Sequence, residues 1–136
     1  GESTTMSFIT DEVKAKRAAN LKETEERTET LRRNEVSRFL EEGIPTLCEE
    51  ARKVATNEYL MKGKLPDEIC IYDHNRLITQ AVANSHSCRK ALLEKLQSLE
   101  EKVRDVEFRY NTARPRYMRG IAPCYHAFVY FSNNQE

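Results

Sequence analysis

Tryptophan is absent, and glycine and proline occur only four times each in 136 residues. A chain this poor in Pro and Gly is neither collagen-like nor a low-complexity linker. With one glycine at position 1 and three others widely scattered, no Gly-rich phosphate loop can be assembled, and neither a GxSxG elbow nor an HExxH pair occurs. Net charge is missing too: 22 basic side chains balance 22 acidic ones. That balance removes any global attraction to nucleic acid or anionic lipid, leaving only local patches. Long apolar runs are also lacking. The longest, Ala127 to Phe131, is far short of the roughly 20 residues a membrane helix needs. No basic-then-apolar leader follows Met6, so no secretory signal is read. Cysteine is sparse and unevenly spaced, at Cys48, Cys70, Cys88 and Cys124, which points to reduced thiols in a cytoplasmic setting rather than a disulfide framework.

What is present is charge, at 32% of residues, interleaved with helical apolar spacing. Residues 1–5, before Met6, read as an expression remnant. Thr10 ahead of Asp11 and Glu12 is a helix start, and Gly43 with Pro45 reads as its stop. A helix over 11–42 would be on the order of 48 Å long. Its stretch from Lys22 to Thr30 contains no apolar residue, so residues 6–30 read as a polar, partly projecting helix. Pairs such as Glu23–Arg27 and Glu29–Arg33 add only about 0.2–0.5 kcal/mol each. Leu31, Val36, Phe39, Leu40 and Ile44 resume apolar spacing and are expected to dock, opening a single compact domain over 31–136.

Thr46 and Glu49 have the spacing of a capping box for a second, amphipathic helix reaching Lys62, with Gly63 as terminator. Leu47, Ala51, Val54, Ala55 and Met61 would form its buried stripe, and the Gly43–Pro45 break predicts a corner or hairpin between the two helices. Ile69 to Tyr72 reads as a short strand, with Asp73 as cap of the next helix. A long third helix follows from Ile78 to about Lys102, and the spacing 92, 96, 99, 103, 106, 110 is that of a heptad seam. Val106, Phe108 and Tyr110 also alternate with Glu107 and Arg109. The run Ala127–Phe131 needs a strand partner, which favours a strand at about 104–111. The fold class is therefore α+β and predominantly helical: a long N-terminal helix, a second amphipathic helix, a long third helix and a small C-terminal antiparallel sheet.

Candidate chemistry is thin. His86 and Cys88 lie two apart on a helix and cannot converge. Cys124 and His126 share a face if extended, and with Cys70 and His74 they would offer a tetrahedral donor set. The spacing is not that of a zinc finger or ribbon, so no metal and no cofactor is assigned. As a nucleophile–base pair, Cys124 and His126 would sit roughly 6–7 Å apart along a strand, too far for the activating hydrogen bond. Paired carboxylates, Asp67 with Glu68 and Asp105 with Glu107, read as surface acids.

Two surfaces remain. Arg109, Arg114, Arg116 and Arg119 fall within eleven residues that hold no acid, interleaved with Tyr110 and Tyr117. Guanidinium forks fit phosphates and tyrosine rings stack on bases, while the plainer role is pairing with acids of neighbouring helices. Leu92, Leu96, Leu99 and Val103 form a self-association seam or else face the protein's own core. Together these favour a non-enzymatic protein-interaction or assembly module acting through helical surfaces, with another protein or a second copy as partner and no membrane. Nucleic-acid binding through the Arg109–Arg119 loop is the alternative.

Overall fold

The computed structural model describes residues 7–111 and 124–132. The chain divides into two units, residues 1–33 and 34–136. The first unit is built on helix α1, Asp11–Arg38, in which no residue is buried. Thr10 starts it as expected, its hydroxyl accepting from the Val13 amide at 3.2 Å. Arg27 pairs with Glu23, and Glu29 is shared by Arg32 and, at 3.3 Å, Arg33. These exposed pairs support the helix itself, each by about 0.2–0.5 kcal/mol.

In the second unit the chain does not stop at Gly43. It passes through a π-helical turn, Phe39–Gly43, directly into α2, Ile44–Lys62. The Ile44 amide donates to the Phe39 carbonyl five residues back, and Gly43 keeps right-handed dihedrals of −67° and −47°. The predicted corner is therefore absent. Pro45 falls in the first turn of α2, where no amide hydrogen is required. Thr46 builds no capping box either, because its hydroxyl donates back to the Glu42 carbonyl at 2.8 Å. Gly43 serves close approach: a Cβ there would lie 2.7 Å from Cδ1 of the fully buried Phe39 ring. Leu31 and Leu40, expected to dock, are exposed. At the far end the expectation holds, with Gly63 left-handed at φ 75° and its amide on the Tyr59 carbonyl.

Strand β1, Glu68–Tyr72, leads into an irregular stretch ordered by Asp73. Its carboxylate accepts from the Leu77 and Ile78 amides at 2.9 and 2.6 Å, so it caps this loop and not a helix. The long third helix is divided into α3, Gln80–Ala83, and α4, His86–Leu99. A hydroxyl starts each piece. Thr79 accepts from the Val82 amide, and Ser85 accepts from the Cys88 amide, restarting the helix.

The predicted C-terminal sheet is present. Strands β2, Val103–Asn111, and β3, Cys124–Phe131, pair antiparallel, and β1 adds to the other side of β3. Between Val103 and Asp105 the register shifts, leaving Arg104 as the extra residue of a bulge. One sheet face carries Ile69, Ile71, Ala127, Val129 and Val106 into a core shared with Leu47, Val82, Cys88 and Leu92. Phe39 meets Phe108 edge-on at 5.8 Å between centroids. The fold is thus α+β and mostly helical, and no described helix is long and apolar enough to cross a membrane.

Candidate functional site

Between α2, the end of α4 and the margin of the sheet lies an apolar groove of about 460 Å³. Along α2 it is lined by Cys48, Ala51, Ala55 and Tyr59, at helical spacing over three turns. Leu96, Val103 and Phe131 complete the floor and opposite wall. Small residues at positions 51 and 55 make the trough, because a larger side chain at either would fill it. The rim is apolar as well. Tyr59, Leu60 and Leu99 line it while remaining more than half exposed, and Met61 beside them is 77% exposed. Met61 was expected in the buried stripe of α2. Tyr59, Leu60 and Met61 are consecutive, however, and three neighbouring helical positions span about 200° of the circumference, so they cannot all face one core. That triple is the sequence signal for the groove.

The four residues of the predicted seam divide. Leu92 and Leu96 are buried within the core of their own unit, and Val103 is buried on β2. Leu99, 61% exposed, is the member left facing out. The α4 helix ends there, so the spacing from 92 to 110 crosses from helix into strand and never forms one continuous stripe.

On the sheet face turned away from the core, Phe128 and Tyr130 of β3 lie half-buried. Arg109 stacks over the Phe128 ring at 4.3 Å, and Arg104 lies 5.7 Å from the centre of the Tyr130 ring. Arg109 is also ion-paired with Glu107 and donates to the Tyr130 hydroxyl, contacts that raise its already high pKa. Of the predicted arginine cluster, Arg114, Arg116, Tyr117 and Arg119 lie outside the described residues.

The cysteine and histidine set comes together only in part. Cys124 Sγ lies 4.0 Å from His126 Nε2, closer than the flat-strand spacing predicts. Strand twist and the lean of side chains along the strand account for the difference. His126 is 6% exposed, and its Nδ1 has no hydrogen-bond partner among the described residues. The Tyr72 ring closes the site edge-on, 4.9 Å from the imidazole, and His74 lies 6.0 Å beyond Tyr72. Burial holds His126 below its ordinary pKa, opposed by nearby Asp73 and reinforced by His74. Cys70 sits across from Phe128, where burial pushes its thiol up against the pull of Arg109. Among the described residues no three His, Cys, Asp or Glu side chains gather to hold a metal ion.

No family model matches this chain, and no curated protein or solved structure matches it significantly.

Proposed function

We propose that the protein is a non-enzymatic interaction module whose α2–α4 groove receives an apolar helix face from a partner protein. One observation carries this reading: an apolar trough of about 460 Å³ with exposed Tyr59, Leu60 and Leu99 on its rim. Apolar surface clustered in this way, between charged side chains such as Arg52 and Glu100, is typical of docking sites. Its extent favours a helix as occupant. Three turns of α2 line the trough, matching a partner helix that presents anchors at i, i+3/4 and i+7. The four free cysteines accord with a cytoplasmic setting.

The test uses the 136-residue chain as bait, with Leu60→Glu and Leu99→Glu together. Both side chains are exposed, so the fold should survive with stability within about 1 kcal/mol of the parent. Proteins retained by the parent and lost with the variant, at equal circular dichroism, are the expected result. Light scattering across a concentration series identifies a second copy as the occupant, through a dimer mass that the variant loses. A bait profile unchanged by both substitutions, with a monomer throughout, overturns the reading.

A second reading, nucleic-acid binding, draws on the aromatic sheet face with Arg104 and Arg109 over Tyr130 and Phe128. Glu107 offsets part of that charge. Fluorescence anisotropy with single-stranded oligonucleotides should then show affinity falling with salt by a log–log slope of roughly −0.7 per phosphate contacted.

A further inference from the structure

The four thiols fall into two pairs. Cys48 and Cys88 are buried in the core, and burial pushes the Cys48 thiol up. Cys70 and Cys124 are both half-buried strand residues, and both lie on the sheet face turned away from the core. They differ in strand position, since Cys70 lies in the middle of β1 and Cys124 opens β3, in the burial that pushes the Cys70 thiol up, and in their neighbours. Cys124 Sγ has the His126 Nε2 at 4.0 Å, whereas Cys70 has no imidazole contact. The imidazole is itself unusual. It is more than nine-tenths buried, points one nitrogen at the thiol and leaves the other without a hydrogen bond among the described residues. An unpaired buried polar atom is costly, so a purely structural role would favour an apolar residue at this position.

We propose that Cys124 is the thiol-modification site of this chain, a nucleophile that exchanges with low-molecular-weight disulfides. The thiol proton passes to His126 Nε2, and the Cys124 thiolate attacks one sulfur of the disulfide. The disulfide S–S bond breaks as the new Sγ–S bond forms, and the departing thiolate takes the proton back from the imidazolium. One mixed disulfide and one free thiol result, so the incoming disulfide is the only oxidant needed. The surroundings act in both directions: burial lowers the pKa of the ring and so opposes the transfer, as does His74, while nearby Asp73 favours the imidazolium. Among the described residues, the charged and titratable groups around the ring are Asp73 and His74 after β1, Tyr72 on β1, and Arg109 opposite on β2.

Cys70, half-buried on the same sheet face, is the internal comparison. Native protein is incubated with oxidised glutathione near pH 7.5, about a unit below an ordinary thiol pKa, and each mixed disulfide is followed by peptide mass spectrometry. Cys124 is expected to react at least about tenfold faster than Cys70, and the ratio should fall to about one in urea, where the imidazole contact is gone. His126→Gln should slow Cys124 about tenfold without slowing Cys70. A native ratio near one overturns the proposal, as does an unchanged Cys124 rate in folded His126→Gln protein. Should that variant not fold, the Cys124 rate alone decides in the parent, and a native rate no faster than the rate in urea overturns the proposal.

Discussion

At the ring of His126, burial does more than set a thiol's neighbour. A histidine whose folded pKa lies below its unfolded one binds fewer protons in the native state. Stability is then fully present above the unfolded value, near 6.5, and drains away as pH falls through the lower folded value. Urea midpoints at pH 7.5, 6.5 and 5.5 should descend in that order, and the descent should flatten in His126→Gln. A midpoint that held steady down to pH 5.5 would remove His126 from the stability balance. Sequence alone placed Cys124 and His126 on one face, because strand alternation has a period of two. Their 4.0 Å approach was not legible, since it depends on twist and on side-chain lean that spacing does not encode.

Among the elements, the connection from β1 to α3 depends most heavily on a single side chain. Asp73 is 5% exposed, and its two carboxylate oxygens satisfy the amides of Leu77 and Ile78, both themselves buried. Asp73→Ala strands two buried donors and should cost roughly 2–4 kcal/mol in urea unfolding. Asp73→Asn, which keeps one acceptor oxygen, should recover about half of that loss. Element ends were readable where the chemistry is one-sided: Thr10 opens α1, Gly63 closes α2, and the alternation from Val106 to Tyr110 is a strand. They were unreadable where one residue serves two roles. Ser85 fits a helix interior by spacing, yet its hydroxyl caps α4 and splits the expected helix from α3. Leu92, Leu96 and Leu99 look alike as a heptad, yet the helix ends at Leu99, leaving that residue exposed at the groove rim and the other two inside.

For the whole molecule, the core resides in residues 34–136, since α1 contributes no buried residue. Removing residues 1–33 should shift the thermal midpoint by less than about 2 °C, because the ion pairs lost belong to the helix they leave with. A larger drop would mean that the first unit stabilises the second. The polar stretch from Lys22 to Thr30 announced the absence of burial in this part of α1, because a helix without apolar side chains has no stripe to offer a core. The groove was hidden from the sequence for the opposite reason. Its lining comes from α2, α4, β2 and β3 together, and only the folded chain brings Ala51, Leu96, Val103 and Phe131 to one trough.

The π turn at Phe39–Gly43 sets the rotational phase of everything after it. On an uninterrupted α-helix, at about 100° per residue, Phe39 would point roughly 130° away from the mean direction of Ile44, Leu47, Cys48 and Ala51. All five are nonetheless buried in one core. The wide turn takes back about one residue's rotation and brings the two arcs into line, acting as a one-residue insertion absorbed by the backbone. Deleting Glu41, an exposed residue within the turn, should therefore return the segment to plain α-helix with its buried faces still aligned. Pro45 would then sit inside that helix at a cost of about 3 kcal/mol. The deletion combined with Pro45→Ala should fold with a urea midpoint near the parent's, whereas the deletion alone should fall well below it. The proline and the extra residue are thus two halves of a single change of phase, each tolerated because the other is there.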